Sequence, residues 1–182
     1  MSLLNVPTKE QVKKVPKALL HDHLDGGLRP ETIIALAEKI GYKKLPTNDP
    51  EKLADWFQES CDSGSLVRYL ETFAHTIAVM QTRDGIIQVA RECAIDLARD
   101  GVVYAEVRGA PELFTEAGLT LNQVVEATTA GYKEGMAEAK REGNTIRVES
   151  ILCGMRQNNR SQETAEAVVK YRDQGVVGFD IA

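Results

Sequence analysis

Four apolar, β-branched segments recur along the chain, each separated from the next by a stretch of helical periodicity, and no other feature narrows the fold so far. They begin near Ala18, Val102, Thr145 and Val176. Strands that alternate with helices pair in parallel through right-handed crossovers, so the expected class is α/β, a parallel (β/α) barrel of the TIM type. A closed eight-stranded barrel takes about 250 residues and rarely fewer than about 200. With 182 residues and four strands, the chain reads as the first half of such a barrel, a half-barrel. Residues 1–182 form a single domain in this reading, with a helical insertion at about residues 42–99, after the first strand. No internal repeat, linker or low-complexity tract interrupts it.

The helices announce themselves by their ends. Pro30 opens one that carries Ile33, Ile34, Leu36, Ala37 and Ile40 and stops at Gly41. Asp49-Pro50 starts a second through Leu53, Trp56 and Phe57. Ser65 caps a third, whose Leu66, Tyr69, Leu70, Phe73, Ile77 and Met80 form an amphipathic stripe expected to face inward. A further helix runs from about Asp84 to Arg99 and ends at Gly101. Thr120 with Gln123 forms a capping box ahead of a helix of about five turns that leads to Gly143. Ser161 is read as the cap of the last, which ends at Gly175.

Lys and Arg number 22 against 27 Asp and Glu, a net charge of −5, and a chain without clustered excess cation is a poor partner for nucleic acid. No window approaches 18 consecutive apolar residues, and the charged N-terminal stretch is expected to be neither an anchor nor a secretory signal. Met1–Leu3 resemble a cloning remnant. Cys61, Cys93 and Cys153 are odd in number and widely spaced, which reads as free thiols, two of them core hydrophobes, in a reducing, cytoplasmic setting.

Chemistry concentrates in His21-Asp22-His23-Leu24-Asp25-Gly26-Gly27. Residues two apart on a strand share a face, so His21 and His23 project together at the C-terminal end of the first strand, where barrel active sites are built. Two convergent imidazoles suit zinc or a similar divalent metal. Asp25 reads either as a ligand-binding carboxylate or as a loop residue that bonds backbone ahead of Gly26. Glu106, Arg108, Arg156 and Asp180 sit at or near strand ends and read first as a polar network that shapes the loops. His75 lies about 200° around its helix from Phe73 and reads as a surface residue.

The run Leu20-His21-Asp22-His23-Leu24-Asp25-Gly26-Gly27-Leu28-Arg29-Pro30-Glu31-Thr32 resembles the first-strand motif of the adenosine deaminases, a branch of the metal-dependent amidohydrolases. Tyr104-Ala105-Glu106-Val107-Arg108, Ile151-Leu152-Cys153-Gly154-Met155-Arg156 and Val177-Gly178-Phe179-Asp180-Ile181-Ala182 match the same family in order and spacing. The resemblance implies that His21 and His23 are zinc ligands, one ion per site. It also implies that Asp25 hydrogen-bonds the sugar of a purine nucleoside, with His23 near the substrate. The implied reaction is hydrolytic deamination of adenosine, and of deoxyadenosine, to the inosine product plus ammonia, a step of purine metabolism.

Relatives acting on free adenine often carry Glu where this chain has Asp25, which leans toward a nucleoside. In the family, the catalytic glutamate and histidine and the remaining ligands belong to motifs on strands after the fourth, beyond Ala182. No catalytic residue is therefore expected within the chain, which alone is expected to be inactive. Two alternatives stand beside this reading. One is a sibling amidohydrolase that deaminates adenine or a modified nucleoside. The other is a non-catalytic half-barrel that self-associates through its exposed strand edges.

Overall fold

The computed structural model describes residues 6–182; the reading of Met1–Leu3 lies outside them. In chain order the elements are α1 (Lys9–Lys14), β1 (Lys17–His23), α2 (Pro30–Ile40), α3 (Pro50–Cys61), α4 (Leu66–Val79), α5 (Arg83–Arg99), β2 (Val102–Gly109), α6 (Leu121–Arg141), β3 (Arg147–Gly154), α7 (Ser161–Tyr171) and β4 (Val176–Ile181). Single 3-10 turns at Leu24–Gly26, Pro111–Phe114 and Arg172–Gln174 link some of them.

The strands pair in parallel in the order β1-β2-β3-β4. That order never reverses, so the sheet has no switch point of the doubly wound kind and progresses as a barrel does. One face carries Ala105, Val107, Val148, Leu152 and Val176 and is buried under α5, α6 and α7. The other face holds His23, Arg108, Ile151 and Asp180, and it is the side that a closed barrel turns inward.

Helix termini follow the local chemistry. Pro30 and Pro50 occupy first turns, where a missing N–H costs nothing, and the Asp49 carboxylate accepts from the amides of Glu51 and Lys52. Gly41 ends α2 at φ 73°, a conformation that a Cβ would strain. The Thr120–Gln123 capping box forms as expected.

Three sequence readings are corrected. α1 was not anticipated; it rests on a second capping box, Thr8 with Gln11, and buries no residue, so hydrophobic periodicity could not reveal it. Ser161 is the first residue of α7 and not its cap, since Arg160 takes that place without a side-chain cap and pairs instead with Glu163. α4 turns Thr72, Thr76 and Val79 to the core, while Leu66 is 70% exposed and Leu70 54%. Its threonines fit there because their hydroxyls bond back to carbonyls of their own helix, Tyr69 and Phe73. Only the N-terminal part of the apolar stripe, Leu66, Tyr69 and Leu70, is thereby left exposed, while Ile77 packs against the core and Met80 is buried in it.

Candidate active site

β1 and β2 fall out of step just before the histidines. Leu19 lies opposite Ala105 and Asp22 opposite Val107, so Leu20 and His21 together face the single residue Glu106. Such a bulge re-aims side chains at the end of a strand. His21 and His23 emerge with ring centroids 5.4 Å apart and planes tilted by 37°. Asp22 points the other way, and its Oδ1 accepts a hydrogen bond from the His23 amide at 2.9 Å.

The following 3-10 turn buries Leu24 and Asp25, the latter only 6% exposed. Burial pushes the Asp25 carboxyl up from the usual carboxylate range, against a backbone hydrogen bond and the nearby His23. Its Oδ1 is buried without any hydrogen-bond partner. An orphaned carboxylate oxygen is costly, and this one lies in the wall of an apolar cleft of about 250 Å³ shared with Leu28, Phe57, Tyr69, Thr72 and Phe73.

The loop that carries Asp25 is tied down from below. Arg29 donates from Nε and Nη2 to the two oxygens of Asp96 at 2.7 and 2.6 Å. Glu92, beside it on α5, accepts from the Thr32 hydroxyl at 2.6 Å and from Gln88 at 3.0 Å. A bidentate guanidinium fixes angle as well as distance, so the start of α2 is held to α5. Sequence reasoning passed over this brace; the Arg-Pro step at a helix start was its only signal.

At the same edge of the sheet, Glu112 is buried and accepts from the Met155 amide at 2.6 Å and from Asn158 Nδ2 at 3.0 Å, which clamps the loop after β3. Glu112 too was missed, since a lone Glu in a loop carries no periodic signal.

The four strand-end residues join unevenly. Arg108 pairs with Asp180 across β3. Glu106 accepts instead from the Tyr104 hydroxyl at 2.8 Å, and Arg156 reaches the Ile181 carbonyl at 3.5 Å. His75 is a correction: it is half-buried, its Nδ1 is 2.9 Å from the Tyr42 hydroxyl, and its ring stands edge-on to Trp56 at 5.3 Å. Burial lowers its pKa. Cys93 and Cys153 take no part, since burial pushes the Cys93 thiol up to about 12 and Cys153 up to about 11, far from the thiolate that metals and electrophiles require, whereas the exposed Cys61 lines the cleft that holds Asp25. A larger cleft of about 510 Å³ opens between α6 and the Gly175 turn, at the N-terminal ends of β3 and β4. It is at the wrong end of the sheet for barrel chemistry.

The donor set fits a zinc ion in part. Two imidazoles on one face at this separation supply two corners of a tetrahedral site. Among the described residues, no group of three or more His, Cys, Asp or Glu is placed to hold a metal. Among them, too, no helix is long and apolar enough to cross a membrane.

Comparison with known proteins places this arrangement. Residues 16–182 match the family described as Adenosine deaminase. Over 176 residues the chain is 58% identical to Adenosine deaminase 1 of Streptomyces coelicolor, which covers 97% of this chain and 44% of that protein. The crystal structure of the Arabidopsis N6-mAMP deaminase superposes with a TM-score of 0.76 at 26% identity, covering 95% of this chain and 52% of the other. Adenine deaminase from Arthrobacter aurescens gives 0.68 at 26% identity, covering 92% and 48%. The chain spans about half the length of the curated relatives it matches.

Proposed function

The chain belongs to the adenosine deaminase family, and from that premise we propose that it supplies the metal-binding and sugar-binding edge of a site for hydrolytic deamination of adenosine or deoxyadenosine to the inosine product and ammonia. The observation that carries the substrate is Asp25. Its buried, partnerless Oδ1 in an apolar cleft calls for a donor from a ligand, and a sugar hydroxyl would supply one; free adenine could offer its ring N–H there, and the curated relatives named adenosine deaminase favour the nucleoside.

His21 and His23 would hold zinc, which when bound makes water acidic enough to attack a purine ring near neutral pH. His23, half-buried next to Asp25, would also border the substrate. Asp25 fixes the sugar, and with it the distance from C6 of the purine to the histidine pair. Phe57, Tyr69 and Phe73, on the helices between residues 42 and 99, exclude water from the base and act as a cover. The third and fourth ligands, and the glutamate and histidine that move protons, come in this proposal from strands that complete the barrel. Residues 1–182, one folding unit, are inactive by themselves. Three free thiols support a reducing, cytoplasmic setting.

The adenine and N6-mAMP deaminases among the structural neighbours define the competing reading, a free base or a modified nucleotide. The test supplies this chain with a separately expressed C-terminal half of its 58%-identical relative and follows absorbance with adenosine, deoxyadenosine and adenine. Turnover of the two nucleosides is expected only in the mixture. Asp25→Ala is expected to raise KM for adenosine by about 10- to 100-fold, the worth of one hydrogen bond to a charged group. Consumption of adenine alone would overturn the substrate assignment.

β1 and β4 are the outer strands of the described sheet. We propose that their free backbone groups pair with those completing strands or, without them, with a second copy. Light scattering of the chain at micromolar concentration is expected to give dimers or larger species, and a clean monomer would sink that idea.

A further inference from the structure

Three strands converge on one side chain of the open face. Arg108 on β2 lies opposite His23 in the parallel register, and its side chain is only 12% exposed. One guanidinium nitrogen, Nη1, pairs with Asp180 on β4, while Nη2 donates to the Leu20 carbonyl on β1 at 3.2 Å. Nε is buried and has no partner. The group is therefore committed to a carboxylate on one side and to a main-chain oxygen on the other.

That oxygen belongs to the peptide unit between Leu20 and His21, inside the bulge where β1 places two residues opposite one. Backbone groups in a bulge leave the ladder, and their orientation is not set by a neighbouring strand. A peptide unit is planar, so fixing the direction of its carbonyl also fixes the adjoining N–Cα bond of the next residue. From this arrangement we infer that Arg108 is a positioning residue: it fixes the bulge through the Leu20 carbonyl, with Asp180 as its anchor, and so sets the direction in which His21 presents its imidazole. The inference rests on the reading of His21 and His23 as metal ligands. Lysine cannot replace it, because a single ammonium on a flexible stem cannot hold a carboxylate and a carbonyl in the fixed geometry of a fork.

The chain contains only three histidines, so each ring can be followed separately by NMR. The experiment compares the wild-type chain with Arg108→Lys, Asp180→Asn, His21→Ala and the Arg108→Lys/His21→Ala double variant. Ring spectra are recorded without metal, and zinc affinity is measured against a chromophoric chelator. Arg108→Lys is expected to move the His21 ring and amide signals, leave those of His75 in place, and weaken zinc about tenfold, the usual scale for a group that orients a ligand. In the His21→Ala background the same change is expected to cost nothing further.

A purely structural role would lower the melting temperature and leave the His21 signals and this coupling unmoved. Should Arg108→Lys fail to fold, Asp180→Asn retains the arginine while freeing its anchor, and a smaller shift of the same His21 signals is expected. Unmoved His21 signals, or strictly additive losses of affinity, would overturn the inference. Equal zinc affinity in the wild type and His21→Ala would instead remove the ligand reading, and the metal-free spectra would still decide the role of Arg108.

Discussion

Replacing His23 with alanine is expected to weaken zinc binding about a hundredfold or more. Four-ligand zinc sites are worth about 10–16 kcal/mol, or about 3 kcal/mol for each ligand, and each 1.4 kcal/mol is tenfold in affinity. His21→Ala is expected to match it, because the two rings share one face 5.4 Å apart. His75→Ala serves as the contrast. It loses the Tyr42 hydrogen bond and the edge contact with Trp56, so it should unfold at lower temperature, while its zinc affinity stays at the wild-type value. The same difference is readable without a chelator. Zinc at about a hundred times its dissociation constant adds about 2.7 kcal/mol to stability, and that increment should vanish in both strand-end variants. Undiminished zinc protection in His21→Ala and His23→Ala together would rule out the pair as ligands.

The parts of this molecule that were legible in its sequence are those that repeat or that impose a spacing. The alternation of apolar strands with capped helices located four parallel strands, because β-branched, apolar runs between helix stops and helix caps carry a signal that loops cannot imitate. The i, i+2 spacing of His21 and His23 gave their common face. It did not disclose the bulge beneath them, since an extra residue opposite Glu106 changes register without changing composition. α4 was misread for a related reason. Periodicity located its apolar stripe, of which Ile77 and Met80 meet the core, but the inward turn of Thr72 and Thr76 depends on neighbours that sequence does not show, and these two could be buried only because they bond their own helix.

His75 was lost with that stripe. An orientation argued from Phe73 fails once Phe73 itself lies at the edge of the open cleft. The brace of Arg29 with Asp96 was silent for another reason: the two are separated by 67 residues, and ion pairs of that range follow from the fold after it has formed. Arg108 and Asp180 belong to the strand-end network legible in the sequence, but at a separation of 72 residues their direct pairing was not.

Alanine in place of Gly131 or Gly135 is expected to destabilise the chain, although helix propensity alone favours the change. These glycines sit one turn apart on α6 where it crosses α5. A Cβ at Gly131 would lie 2.5 Å from the Ile87 carbonyl oxygen and 2.7 Å from the Ala90 Cβ; one at Gly135 would collide with the Arg91 carbonyl and come within 2.7 Å of the Ala94 Cβ. The obstacle is backbone, which no rotamer relieves, so the helices must part. Overpacking of this kind costs about 1–3 kcal/mol, against a gain of about 1 kcal/mol for removing glycine from a helix interior. A net loss of up to about 2 kcal/mol should lower the melting temperature by up to about 8 °C, at about 2–4 °C per kcal/mol for a chain of this size. The double variant should lose less than the sum, because helices already pushed apart by one methyl group accept the second more easily. The consequence extends to the site, since α5 also carries Asp96 and Glu92, the anchors of Arg29 and of the loop that buries Asp25. Thermal unfolding of the three variants decides the matter: unchanged or raised melting temperatures would show that α5 and α6 separate freely, and that their close approach does not hold the Asp25 loop in place.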